Sequence, residues 1–352
     1  MRLEDLDFDI PAELVAQHPA AERDACRLLR LQRSGGKISA HLFRDLPQLL
    51  RPGDVLVRNT SRVLPARLHG EKEGTGARCE MLLLEPAAGG WWALVRPARR
   101  LGPGSRIRLA DGTRAELAAA EDGGRRLVVF PPGVDGLDVM HRLGTVPLPP
   151  YIRRPAEPGD AEAYQTVYAR VEGSLAAPTA GLHFTPAVFA ALGARGIACV
   201  DVVLHVAAGS FTPVRTPDPS QHRMHWERFA VERGVLEKLK RARRAGGRVV
   251  AVGTTSARVL ESVAQWTAGD GHADVELQDE SGVLQGRTRL FIHPPHEFRC
   301  VDVLLTNFHL PRSTLLLLVD AFAGREARAR AYALAVAHRY RFFSYGDAML
   351  IE

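Results

Sequence analysis

RLHGEKEGTGARCEMLLLEPAAGGWWALVRPARRLGPGSRIRLADGTRAELAAAEDGGRRLVVFPP, residues 67–132, is a chain of short apolar or alternating runs cut by glycines. The runs cover 67–71, 78–85, 91–96, 106–109, 114–119 and 125–130. The breaks between them include Gly74-Thr75-Gly76, Gly89-Gly90, Gly102-Pro103-Gly104, Asp111-Gly112 and Gly123-Gly124. Such breaks supply the positive-φ positions that tight hairpins demand. Strands at this spacing predict a small barrel or sandwich, and six of them favour a closed barrel without exposed edges. The run 114–119 is rich in alanine and fits a helix as well as a strand.

On either side of this stretch the texture changes. Val249 to Val252 is a continuous β-branched run, and 255–266 then shows helical spacing of Val259, Leu260 and Val263. A second buried strand, 301–305, precedes a leucine-rich helix at 313–323. A third, 200–206, follows a helix at 187–194 that ends near Gly196. A short strand at 54–57 leads into the glycine-punctuated stretch. Strand, polar turn and helix in repetition predict an α/β core. The expected architecture is an α/β core domain, residues 1–66 and 146–352, with a small six-stranded antiparallel β-barrel inserted at 67–145. The segment 153–160, with Pro155, Pro158 and Gly159, is a connector or a flap.

The 352 residues are 46% hydrophobic and 24% charged, the balance of a soluble globular chain. Lys and Arg number 46 against 40 Asp and Glu, a net charge of +6, which is compatible with a nucleic-acid partner and insufficient to prove one. Cys26, Cys79, Cys199 and Cys300 are scattered, which suits a reducing compartment better than a disulfide framework or thiolate metal site. The first seven residues are acidic where a leader would be basic, and the apolar run Leu315 to Val319 is too short for a membrane span. A cytoplasmic protein without membrane attachment is expected.

The glycine motifs of dinucleotide-binding folds, methyltransferases and Walker ATPases are missing. Polar groups gather instead at strand ends. Gly253-Thr254-Thr255-Ser256 joins a buried strand to a helix, a place suited to a carboxylate, phosphate or ribose. Capping of that helix by Thr254, Thr255 or Ser256 explains the turn equally well. Thr306-Asn307-Phe308-His309-Leu310-Pro311 sits in the equivalent place after the next strand, where α/β folds bind ligands. Ala177 to Thr185 is a loop of small residues around His183, and His205 precedes the small-residue turn Ala207-Ala208-Gly209-Ser210. His222, His225 and Glu227 invite a metal reading, yet the prolines before them imply a loop, and contact with a polar substrate suits His225 and Glu227 better. No metal is expected. The run Lys238 to Arg244, on a helix, and the barrel arginines Arg96, Arg99, Arg100, Arg106, Arg108, Arg125 and Arg126 are either solvated faces or phosphate contacts.

Taken in order, these segments resemble the S-adenosylmethionine:tRNA ribosyltransferase-isomerase family of queuosine biosynthesis. The resemblance rests on Asp7-Phe8-Asp9-Ile10-Pro11, Asn59 to Leu68, Val146 to Ile152, Tyr164 to Tyr168, Ala177 to Thr185, Val252 to Ser256 with Arg258, Thr306 to Pro311 with Ser313-Thr314, and Tyr345 to Leu350. Departures are local: Ala207 and Ser210 where the family usually has Gly and Thr, Trp226 for a small residue, and Pro295 for a glycine. The resemblance implies a transferase that moves and isomerises the ribosyl part of S-adenosylmethionine onto 7-aminomethyl-7-deazaguanine at the tRNA wobble position. Epoxyqueuosine would form, with adenine and methionine released. No cofactor is implied beyond S-adenosylmethionine, which is consumed, and a monomer is suggested.

Such chemistry needs a base, an acid and donors for the methionine carboxylate. Expected catalytic residues are His183, His205 and His309 as proton carriers, with Glu227 and Asp347 orienting groups. Pro178, Thr179, Gly181, Phe184, Thr254, Thr255, Arg258 and Asn307 are expected to bind substrate, and Arg62 and Arg67 to meet tRNA. Three rivals stand beside this reading: a non-catalytic tRNA-binding module, a metal-dependent hydrolase and a methyltransferase.

Overall fold

The structure, a computed structural model, describes residues 3–207, 209, 214, 216–269 and 273–352, the side chain of Asp122 excepted. The chain divides into two compact units: Met1–Arg62 with Pro150–Arg154 and Gln165–Glu352, and Val63–Pro149 with Pro155–Tyr164.

The smaller unit is built on a closed antiparallel barrel. Its strands follow the order Arg125–Val129, Gly90–Arg96, Arg78–Ala87, Arg67–Lys72, Arg106–Leu109 and Arg114–Ala120, the last pairing back to the first. Alternation places Leu68, Met81, Leu83, Ala93, Val95, Ile107 and Leu117 in the interior. The same period settles the alanine-rich run as a strand: Ala115 and Leu117 are buried while Arg114 and Glu116 are exposed. A turn at Gly112, φ +86°, sets its register against the preceding strand, with Arg108 opposite Arg114. Gly70 marks a tight strand contact, since a Cβ there would lie 2.6 Å from Ile107 Cγ2 and 2.9 Å from the Arg108 carbonyl.

The larger unit carries a ten-stranded mixed sheet. Its spatial order is Val275–Glu280, Val283–Thr288, Glu227–Glu232, Ala198–Leu204, Val55–Asn59, Val249–Val252, Val303–Asn307, Ala348–Ile351, Arg27–Leu31 and Ile38–Leu42. The run from Ala198–Leu204 to Val303–Asn307 is parallel throughout. Val249–Val252 and Val303–Asn307 are buried at every residue, because apolar layers cover both faces of the sheet. Gly253–Thr267, Pro186–Ala194, Arg233–Arg244 and Thr314–Ala323 are among the helices of this unit. Sequence spacing locates these elements to within about two residues. It misses the antiparallel flanks, and it misses that Ala348–Ile351 enters antiparallel to Val303–Asn307 and parallel to Arg27–Leu31.

At the start of the 153–160 segment Arg153 N and Arg154 Nε are held by Gln17, and within it Glu157 N donates to Asp160. The parallel strands bring Leu204, Asn59, Val252 and Asn307 to one edge of the sheet, side by side. Ligand crevices of α/β sheets form at such carboxyl ends.

Candidate functional site

At the end of Val249–Val252 the chain turns directly into the helix Gly253–Thr267. Gly253 makes the turn at φ +86°, which suits a residue without a Cβ. No side chain caps this helix; Ser256 Oγ donates back to the Val252 carbonyl at 2.8 Å. Its first N–H groups are therefore left for another acceptor. Thr255 Oγ1 is buried beside them without a hydrogen-bond partner among the described residues.

The neighbouring strand ends in Thr306 and Asn307, followed by His309. Thr306 Oγ1 lies 2.7 Å from His309 Nε2 and donates to the Asn307 carbonyl at 3.3 Å. Tyr332 Oη accepts from His309 N at 2.9 Å, which fixes the backbone behind the ring. Burial pushes the His309 pKa down to about 3, so the ring is a neutral proton acceptor.

Glu227 opens an antiparallel strand, and its carboxylate is shared. Oε1 accepts from Ala207 N at 3.0 Å and Oε2 from Arg258 Nη1 at 2.5 Å. Both side chains are almost fully buried. Arg258 Nε, like Thr255 Oγ1, has no hydrogen-bond partner among the described residues. One pocket is lined by Ala176, Ala177, Pro178, Thr179, Ala180, Val206, Glu227, Gly253, Thr254, Thr255, Arg258, Thr306, His309 and Leu315. The fold thus joins Pro178, Thr179, Glu227, Thr254, Thr255, Arg258 and His309 from four separate segments.

Other expected site residues lie elsewhere, each for a visible reason. His183 Nδ1 is 3.1 Å from Cys26 Sγ, and its Nε2 is 3.2 Å from Asn307 Nδ2. Since Asn307 Nδ2 also donates to the Phe343 carbonyl at 3.1 Å, the amide nitrogen faces His183, whose Nε2 must accept. His183 is a saturated interior histidine, neutral because burial, and then Arg23 and Arg341, lower its pKa to about 3. Burial likewise pushes the Cys26 thiol up, away from thiolate character. Phe184 is fully buried, stacked on Phe189 at 4.9 Å and edge-on to Phe43, and so belongs to the core. Gly181 is required by Tyr168, whose Oη would lie 2.0 Å from an added Cβ.

His205 bonds through Nδ1 to Ser61 Oγ at 2.8 Å, and Ser61 Oγ in turn to Ser174 Oγ. It lines a separate groove with Arg228, Trp266 and Arg287, and burial followed by the Arg228 charge lowers its pKa to about 4. Asp347 is occupied as a brace: its oxygens accept from Arg27 N and Arg341 N, both at 2.8 Å, and from Arg27 Nε. Arg62 is exposed, 3.8 Å from Glu172. Arg67 is half-buried, with Nη2 on the Leu148 carbonyl and Nε 3.7 Å from Glu80.

Glu227, committed to Arg258, does not join His222 and His225; among the described residues no three His, Cys, Asp or Glu side chains converge as metal ligands. Trp226 lies between the Arg287 and Arg289 guanidiniums at 4.9 and 4.8 Å, outside the pocket wall. Ala208 and Ser210 lie outside the described residues. Thr306 and Tyr332, which set the His309 ring and backbone, are not among the site residues expected from sequence. Thr306 was detectable as the first residue of the strand-end motif, whereas Tyr332 is 23 positions away and carries no local signal.

A family model described as queuosine biosynthesis protein matches residues 3–351. The S-adenosylmethionine:tRNA ribosyltransferase-isomerase of Symbiobacterium thermophilum is 48% identical over 358 residues, covering 100% of both chains. The protein of that name from Azoarcus sp. is 49% identical over 355 residues, covering 100% of this chain and 97% of its own. Among solved structures, an S-adenosylmethionine tRNA ribosyltransferase from Thermotoga maritima is similar at 37% identity and a TM-score of 0.56, over 99% of this chain and 100% of that one.

Proposed function

The chain belongs to the queuosine biosynthesis protein family, and from that premise we propose that it transfers and isomerises the ribosyl moiety of S-adenosylmethionine onto 7-aminomethyl-7-deazaguanine in the tRNA anticodon. The observation that carries the reading is the pocket at the parallel strand ends. It pairs an acceptor imidazole, His309, with a buried ion pair and an uncapped helix start.

The substrate's sulfonium acidifies the adjacent ribose 5′-carbon, so a positioned base removes that proton. Adenine departs with a proton, the amine of the modified base attacks, and epoxide closure expels methionine as a neutral thioether. His309 is the group assigned to take the first proton, being neutral and in the pocket wall. Pro178, Thr179, Thr254, Thr255 and Arg258 hold S-adenosylmethionine. Asn307, His183 and Asp347 are positioning residues, and His205 serves the neighbouring groove. Arg62 and Arg67 remain candidates for tRNA contact. The reading carries with it a monomer in the cytoplasm that consumes S-adenosylmethionine and uses no other cofactor. No helix among the described residues is long and apolar enough to cross a membrane. A non-catalytic RNA-binding module has no use for a buried neutral imidazole beside a buried ion pair in a recess at the strand ends.

The test is mass spectrometry of nucleosides from tRNA bearing the aminomethyl-deazaguanine after incubation with S-adenosylmethionine. Epoxyqueuosine with free adenine is expected from the native chain, and at least a hundredfold less from His309→Ala at unchanged thermal stability. A methylated nucleoside, or unchanged tRNA, would overturn the reading.

A further inference from the structure

We infer that the Thr255–Arg258 corner of the pocket seats the zwitterionic amino-acid head of S-adenosylmethionine. This assignment rests on the function proposed above and adds which end of the substrate goes where.

The corner is rich in donors that lack acceptors. Thr255 Oγ1 and Arg258 Nε are buried without hydrogen-bond partners among the described residues, and the helix Gly253–Thr267 begins without a side-chain cap. A buried donor left unmade costs free energy, so the Arg258 Nε side of the corner is complementary to a group that accepts bonds. A guanidinium Nε can only donate, which narrows the ligand further. A carboxylate has two oxygens and no proton, and the start of a 15-residue helix favours its charge. Ribose hydroxyls and the adenine edge also accept hydrogen bonds, but neither carries the negative charge that the helix start favours.

Charge balance points the same way. Arg258 is paired with Glu227 through Nη1, so the corner as a whole presents both signs. A lone anion would meet the Glu227 carboxylate unfavourably. An α-amino acid places an ammonium one carbon from its carboxylate and is neutral overall. Its carboxylate meets Arg258 Nε and Thr255, its ammonium meets the negative potential of Glu227, and no net charge is stranded in the interior.

The placement also leaves the reacting end in a sensible position. Val249–Val252 and Val303–Asn307 are adjacent parallel strands, about 4.8 Å apart. The substrate's arm from the carboxylate carbon through Cα, Cβ, Cγ and S to the ribose 5′-carbon is long enough to cross that spacing. With the head at the start of Gly253–Thr267, the sulfonium and ribose 5′-carbon extend toward the strand end that carries Thr306 and His309.

The experiment is titration calorimetry of the full chain with S-adenosylmethionine, its decarboxylated analogue and 5′-methylthioadenosine, which lacks the head. Native protein should prefer S-adenosylmethionine over the decarboxylated analogue by tenfold or more, on the order expected for hydrogen bonds to a charged group. Thr255→Val keeps the shape and removes the hydroxyl; Arg258→Lys keeps the charge beside Glu227 and removes Nε. Each should cut that preference about tenfold and leave affinity for 5′-methylthioadenosine unchanged. Equal losses for all three ligands would place the nucleoside at this corner and overturn the assignment. So would a native preference that neither variant alters, or no native preference at all. Native protein that binds none of the three would overturn the proposed function, and the assignment with it.

Discussion

His183 and His309 show how little a residue type says until its neighbours are placed. Both are buried, both are neutral, and burial lowers the pKa of each to about 3. His183 has a partner at each ring nitrogen, Cys26 and Asn307, whereas His309 is held at Nε2 by Thr306 and lines the pocket. Both depressed pKa values carry a stability signature with a definite sign. The unfolded chain, with histidine near its model value of 6.5, binds more protons than the folded one, so stability is fully present above 6.5 and declines as pH falls toward 3. Urea midpoints should therefore drop between pH 6.5 and about 5, before most carboxylates titrate. A His183→Asn, His309→Asn double variant should show a shallower slope over that window. An identical slope would mean that neither ring is neutral in the folded state.

At the scale of elements, the short helical turn Thr179–Gly181 is held by a fit that local sequence does not announce. Gly181 is expected from sequence as a ligand-approach glycine. In the structure its missing Cβ makes room for Tyr168 Oη, and Thr166 Cγ2 would be 2.8 Å from an added methyl group. Gly181→Ala should destabilise the protein by about 1–3 kcal/mol through overpacking. Because Tyr168 Oη has no hydrogen-bond partner among the described residues, Tyr168→Phe removes the severest of these contacts at little cost and leaves those to Tyr168 Cζ and Thr166 Cγ2. The double variant should regain a good part of the loss in denaturant unfolding. Additive losses would mean that the glycine is kept for another reason. The helix Gly253–Thr267 offers the contrasting case, since strand, glycine and apolar spacing place its start to within two residues of the expected position.

Across the whole molecule the net charge of +6 is distributed unevenly with respect to partners. Arg106, Arg108, Arg114 and Arg125 of the barrel each face a carboxylate: Glu116, Glu71, Glu73 and Glu85. Arg126 clasps the carbonyls of Ala98 and Leu101 and so holds the turn that carries Arg99 and Arg100. Those two guanidiniums have no carboxylate partner among the described residues, and phosphate is the natural counter-charge. On Arg233–Arg244, by contrast, Arg243 pairs with Asp302 and Lys240 with Glu237, while Val235 and Leu239 supply the buried side. Arg99→Gln with Arg100→Gln should weaken tRNA binding and lower the slope of log affinity against log salt by about 1–2. Arg106→Gln with Arg114→Gln should change that slope by less, as measured by filter binding over a salt series. Equal effects would remove the distinction between paired and unpaired arginines.

The elements legible from sequence are those whose pattern is local. Six glycine-punctuated runs specify a barrel, and continuous apolar, valine-rich runs such as Val249–Val252 specify strands buried on both faces. Ala115 and Leu117 become legible as strand residues once the period of two is matched to a partner. The antiparallel flanks are harder to read, because Glu227–Glu232 and Val283–Thr288 hold only alternating apolar residues and depend on each other for their ladder. The candidate site divides the same way. Thr254, Thr255 and His309 sit next to strand ends, so the sequence by itself places them at the carboxyl edge of an α/β sheet. Only the tertiary structure sends His183 to Cys26, Asp347 to Arg27 and Glu227 to Arg258, over separations of 157, 320 and 31 residues. Those pairings follow from sheet order and from the need to satisfy buried polar groups, and neither is encoded in any local window of sequence.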